Sequence, residues 1–218
     1  MTFTRRNFEQ QTLAGLLTLL SPAVALAQLK KPVAGTDYHA LQARAPVEAP
    51  AGKVEVVEFF WYNCQHCNAF EPALLEWVKK LPKNVAFRRV PVAFNDSFVP
   101  QQRLFYTLES MGLLDKLHAK VFAAIHVEKL NLSKGEAIVE WVGKNGVDQA
   151  KFLAQYNSFG TVTKAQKGSQ LQKAYNVEGV PALGIAGQFY TDGSMAGTME
   201  RALLVAQALI EDASARRA

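Results

Sequence analysis

The clearest strand signal in the chain is Val54-Glu55-Val56-Val57-Glu58-Phe59-Phe60, nearly continuous in apolar residues. A run of this kind predicts a central strand buried on both faces rather than a half-solvated one. A helix-like run, Ala69 to Val78, follows and contains Pro72, which predicts a kink; Pro82 stops it. A second strand is predicted over Val85 to Phe94, with Pro91 marking its end or a bulge. Strand, helix and strand are most simply joined by a right-handed crossover. Upstream, Leu29 to Ala51 reads as an extended lead-in with a short strand candidate at Tyr38 to Leu41.

From Pro100 to Tyr156 the strand pattern disappears and four helical runs replace it: Gln101 to Met111, Leu114 to Glu128, Lys134 to Lys144 and Gln149 to Tyr156. Gly112 follows the first. Ser133 with Glu136 forms a capping-box pattern for the third, Asn145-Gly146 closes it, and Asp148 caps the fourth. A further helix, Val162 to Tyr175, leads back to two short apolar runs around Gly187, which predict an antiparallel hairpin. An amphipathic helix from Met199 to Asp212 ends the pattern, and no internal repeat is evident. The class is α/β, with about 60 residues of helix set inside it.

Length and charge narrow the function. A chain of 218 residues suffices for one domain carrying an insertion. The net charge of +5 comes from scattered pairs such as Lys79-Lys80 and Arg88-Arg89, without a basic tract or interleaved aromatics, so no nucleic-acid partner is expected. Arg5-Arg6, the apolar run Leu13 to Leu20 and Ala25-Leu26-Ala27 match a basic region, a short hydrophobic region and a small-x-small cleavage site. We read residues 1–27 as a cleaved secretory signal, too short in its apolar part for a membrane span of about 20 residues. The general secretory route is expected; Thr4 to Phe8 also resembles a twin-arginine signal.

The only two cysteines, Cys64 and Cys67, stand two residues apart between the first strand and its helix. Cys64 then falls at a helix N-terminus with Cys67 one turn behind. A free thiol titrates near ~8.5 and reacts as thiolate. Unpaired N–H groups at a helix start favour that anion, by at most about 2 kcal/mol from the dipole. His66 adds a donor beside it. The spacing lets Cys67 resolve a mixed disulfide formed at Cys64. An exported chain with a single pair has little use for it as a staple, so the Cys64–Cys67 disulfide is expected to be working chemistry. Metal binding is the rival: Cys64, His66 and Cys67 are three soft donors, one short of a structural zinc site.

With the CxxC helix, Pro72, the helical insertion, Gly179-Val180-Pro181 and Gly187 in this order, the chain resembles the DsbA family of periplasmic disulfide oxidoreductases. The likeness spans about Leu29 to Asp212, its sharpest parts being Glu58-Phe59-Phe60, Cys-x-His-Cys and Phe70-Glu71. It implies a thioredoxin fold with an inserted helical domain, divided as 28–97, 98–161 and 162–218. It implies Cys64 as exposed nucleophile, Cys67 as resolving partner and a cis Val180–Pro181 bond against the pair, the Val180 backbone meeting substrate. It also makes Glu58 a buried proton relay beside Arg89, with Arg88 the alternative partner and a solvated strand face the plain alternative for Glu58. Glu71 lies near the site or is an ordinary surface residue; His39, His118 and His126 read as structural. Gln65, placed on the substrate side, stands where the family usually has proline, and Asn68 where an aromatic is frequent. The resemblance implies a monomer without a cofactor that oxidises reduced exported polypeptides and is itself reoxidised by a DsbB-type quinone-linked membrane enzyme. A periplasmic reductase or isomerase, a metal carrier and a peptide-binding module are the alternatives.

Overall fold

Apolar continuity places Val54–Phe60 at the centre of the sheet: all seven residues are buried in the computed structural model, which describes residues 31–216. The expected signal segment lies outside the described residues. In chain order the elements are β1 (His39–Ala40), β2 (Val54–Phe60), α1 (Gln65–Val78), β3 (Val85–Pro91), α2 (Val99–Ser110), α3 (Leu114–His126), α4 (Gly135–Lys144), α5 (Gln149–Tyr156), α6 (Phe159–Ala174), β4 (Ala182–Ile185), β5 (Phe189–Asp192), α7 (Gly193–Ala196) and α8 (Met199–Ala215). The sheet order is β1-β5-β4-β2-β3. Strands β2 and β3 are parallel, as the connecting α1 requires, while β4 runs antiparallel to both β2 and β5. Among the described residues, no helix is long and apolar enough to cross a membrane.

Alternation along β2 distributes its residues between two cores. Val54 and Val56 pack with Phe70 and Leu74 of α1 and with Leu203, Leu209 and Ile210 of α8. Val57 and Phe59 pack on the opposite side with Val90, Leu171 and Tyr175. Phe60, at the strand's end, enters a third cluster with Tyr62, Cys67, Leu104, Phe105, Val121 and Phe122. The end of the sheet that leads into the cysteine turn is thereby roofed by helices α2 and α3.

Local chemistry explains most element ends and corrects a few. Helix α6 starts at Phe159, three residues before the expected Val162, because the Ser158 side chain accepts from Thr161 N–H. The capping box at Ser133 does not form. Lys134 occupies the N-cap of α4 without a side-chain bond, and the Ser133 N–H is taken by Asn131 Oδ1 at 3.0 Å, a local Asx turn. Asp192 caps the short α7, an element the pattern did not announce. The hairpin turn between β4 and β5 puts Ala186 and Gly187 at φ 57° and 69°, the left-handed pair that a two-residue hairpin loop needs. Gly187 has a second constraint: a Cβ there would stand 2.6 Å from the Ala45 carbonyl.

Candidate active site

The turn after β2 makes Cys64 the N-cap of α1, with φ −83° and ψ 117°. Its own N–H donates to the Trp61 carbonyl at 3.0 Å, and its carbonyl accepts from Asn68 N–H at 3.1 Å. Its sulfur does what a serine or aspartate oxygen does at other helix starts: Sγ accepts from the Cys67 N–H at 3.1 Å. Both cysteines are free thiols here, Cys64 half-exposed and Cys67 buried. The side-chain interaction with Cys67 is the largest influence lowering Cys64. The backbone N–H groups of Cys67 and His66 and the His66 charge add to it, and together they outweigh burial and bring the thiol to about 7. No acidic residue occupies the first turn to oppose this. Cys67 moves the other way, pushed far up by burial and by its neighbour sulfur. One cysteine is thus poised as thiolate and the other held as thiol.

The Val180–Pro181 bond is cis, and the Val180 carbonyl lies 3.4 Å from Cys64 Sγ, within reach of its S–H. Gln65 and His66 are exposed on the first turn of α1; His66 reaches the sulfur through its backbone N–H and its charge. Trp61 stacks on Phe98 with ring centroids 4.0 Å apart, forming an aromatic shoulder next to the pair.

Beneath Cys67 the strand register organises a buried charge cluster. In the parallel β2–β3 pair Glu58 lies opposite Arg89, and Arg89 Nε donates to Glu58 Oε2 at 2.8 Å. Arg88, one residue back, projects to the other face and pairs with Glu55 at 3.0 Å. The register of β2 with β3 therefore settles the choice between the two arginines. The second side of the Arg89 guanidinium serves Glu71, with Nη2 3.1 Å from each carboxylate oxygen. Glu58 is fully buried. Burial pushes its carboxyl up to about 8, Arg89 lowers it, and the charge of Glu71 raises it further. For Glu71 burial is also the largest single influence and raises it, but His118 and Arg89 together hold it below the usual carboxylate range.

Two histidines read as structural from the sequence are tied to this region, His118 to the cluster and His126 to the turn before Cys64. His118 is buried on α3, its Nδ1 2.8 Å from Tyr62 Oη and its Nε2 3.6 Å from Glu71 Oε1. His126, two turns on, has Nε2 2.8 Å from the Tyr62 carbonyl. Tyr62 immediately precedes the Asn63-Cys64 step, so α3 grips the active-site turn at both ends of one residue. One signal was available: His118 falls on the apolar stripe Leu117, Val121, Phe122, Ile125, where a polar side chain needs a partner. Among the described residues no three His, Cys, Asp or Glu side chains converge on a metal-sized site.

Comparison with known proteins agrees with this geometry. Residues 55–204 match the DSBA-like thioredoxin domain family. The thiol:disulfide interchange protein DsbA of Burkholderia cepacia is 41% identical over 184 residues, covering 84% of this chain and 87% of its own. That of Pseudomonas aeruginosa is 41% identical over 91% of this chain and 94% of its own. A crystal structure of Pseudomonas aeruginosa DsbA superposes with a TM-score of 0.80 at 42% identity, over 85% of this chain and 96% of the other. The Xylella fastidiosa oxidoreductase DsbA gives a TM-score of 0.78 at 28% identity, over 84% and 98%. With the cysteine pair set at the start of α1 in this fold, the chain belongs to the DsbA family of thioredoxin-fold enzymes and is a thiol:disulfide oxidoreductase.

Proposed function

We propose that this oxidoreductase runs as a disulfide donor, oxidising reduced polypeptides exported to the periplasm. One observation carries the direction: Cys64 Sγ is itself the N-cap of α1, accepting the Cys67 N–H at 3.1 Å. A thiolate favoured there stabilises the reduced pair and so makes its disulfide the stronger oxidant.

The exchange has two displacements. A substrate thiolate attacks Cys64 Sγ; the Cys64–Cys67 bond breaks and Cys67 leaves as thiolate, taking a proton from the buried cluster where Glu58 stands. A second substrate thiolate then attacks the substrate sulfur of the mixed disulfide and expels Cys64 as the stabilised thiolate. The substrate loses two electrons and the cysteine pair gains them. Val180 offers its backbone to the incoming peptide beside Pro181, and Gln65 with the Trp61–Phe98 shoulder borders the same surface. No cofactor is required beyond the disulfide. Regeneration calls for a two-electron acceptor, for which a DsbB-type quinone-linked membrane enzyme is the natural partner, and a monomer suffices for the chemistry.

The test is the equilibrium of the pair in glutathione buffers, followed by the fluorescence of Trp61. A potential above about −180 mV is expected; a value near −270 mV would make the protein a reductant and overturn the direction.

A further inference from the structure

The Glu58–Arg89–Glu71 cluster sets two carboxylates against one guanidinium, in a region where an unpaired charge is costly. The two acids are not equivalently served. Both oxygens of Glu71 meet Arg89 Nη2, and Oε1 also faces His118 Nε2. Glu58 receives Arg89 Nε on Oε2 alone, and its Oε1 is buried with no hydrogen-bond partner among the described residues. A bare carboxylate oxygen is costlier in such a place than the single unpaired O–H of a neutral carboxylic acid. We propose that His118 is a positioning residue: it secures the negative charge on Glu71, and thereby leaves the cluster's proton on Glu58, under Cys67. The idea rests on the reading of Cys67 as the buried member of the exchanging pair.

The orientation of His118 fits this task. Tyr62 Oη lies 2.8 Å from Nδ1. With the phenol donating, the neutral ring carries its proton on Nε2, which is buried, lacks a hydrogen-bond partner and faces Glu71. At 3.6 Å the contact is electrostatic rather than a closed hydrogen bond. Phe60, Phe105 and Phe122 surround the imidazole with centroids 5.3 to 6.0 Å away. Burial holds His118 below its ordinary range, so it stays neutral and acts through its N–H dipole. The other charged groups around it are Glu109 of α2, Asp115 of α3 and Arg89 of β3, which line with Glu71 and His118 a cavity of about 450 Å³; the guanidinium of neighbouring Arg88 is turned to Glu55. Among these groups of the described residues, Arg89 is the one in hydrogen-bond contact with Glu71. The function assigned to His118 is thus local and specific: without its N–H the two carboxylates become nearer equals, and the proton at Glu58 is less secure when Cys67 needs one.

The experiment is a pH titration of the glutamate side-chain carboxyl carbons by NMR, on the reduced, uniformly 13C-labelled protein, with Glu58→Gln and Glu71→Gln assigning the two signals. In the unaltered protein Glu58 titrates near 8 and Glu71 well below it. His118→Phe keeps the volume and removes the N–H. It should raise the Glu71 midpoint by at least about one pH unit, tenfold in proton affinity, and so narrow its gap to Glu58. His118→Gln restores an N–H in the position of Nε2 and should recover most of the shift. An unchanged Glu71 midpoint in a folded His118→Phe, or a His118→Gln displaced as far as the phenylalanine variant, would overturn the proposal. Should His118→Phe not fold, Tyr62→Phe decides: losing the hydroxyl frees the tautomer and should raise the Glu71 midpoint likewise, and no movement refutes it. The titration involves no turnover, so a wrong direction of electron flow leaves its outcome unaffected.

Discussion

At Cys64 a single side chain is both the cap of a helix and the sulfur proposed to exchange. Because its thiol is brought to about 7, alkylation by iodoacetamide should accelerate along a titration curve centred near that pH, while Cys67 stays unreactive. His66→Ala keeps the backbone N–H and loses only the ring's charge, so the midpoint should rise by less than about one unit. A loss of all activation in that variant would show the imidazole, not the helix start, to be the main influence. Glu58 titrates in the opposite sense. Its folded value of about 8 lies above the 4.5 of an unfolded glutamate, so the folded state binds the extra proton between these values and its stability falls as pH rises through that window. Glu58→Gln removes the dependence. Urea unfolding of the reduced protein should show the variant more stable by up to about 3 kcal/mol at pH 7, and by less than about 1 kcal/mol at pH 5. A variant less stable than the parent at pH 7 would refute it.

At the scale of elements, legibility followed the range of the physics. Period and punctuation are local, so β2, the hairpin around Gly187 and the helices α2 to α5 could be read off within a few residues. The short α7 could not, because a four-residue helix has too little pattern to stand out and rests on one cap, Asp192. Ser133 misled for a related reason: its spacing to Glu136 suits a capping box, but Asn131 claims its N–H first. Seating of β4 against α6 shows what no pattern conveys. A Cβ on Gly184 would come within 2.5 to 2.9 Å of the Tyr175 ring, and that ring is buried and tethered by the Gly187 N–H at 3.0 Å. Gly184→Ala should cost about 1–3 kcal/mol by overpacking, measured by denaturant unfolding. A change within about 0.5 kcal/mol would mean the ring can yield.

Over the whole molecule, the redox state and the fold are linked through the same sulfur. Lowering of the Cys64 thiol in the native state adds stability to the reduced protein above its unfolded value, and this is lost as pH falls through about 7. The reduced form should therefore resist denaturant better than the disulfide form at pH 8 to 9, with the gap narrowing toward pH 6. A disulfide form more stable at every pH would mark the pair as a staple and count against a donor.

The sequence by itself determined most of the elements, the cysteine pair at the start of a helix and the α/β class with its helical insertion. Those depend on period, spacing and caps, which act between near neighbours in the chain. Alternation also implied that one arginine, not both, shares a face with Glu58, but only the parallel register of β2 with β3 selected Arg89. Tertiary structure alone gathered Glu71 from α1 and His118 from α3 around that guanidinium, and set His126 against Tyr62. The reason is physical: a buried polar group takes its meaning from partners that arrive from distant parts of the chain, and no spacing within the sequence records which of them it will meet.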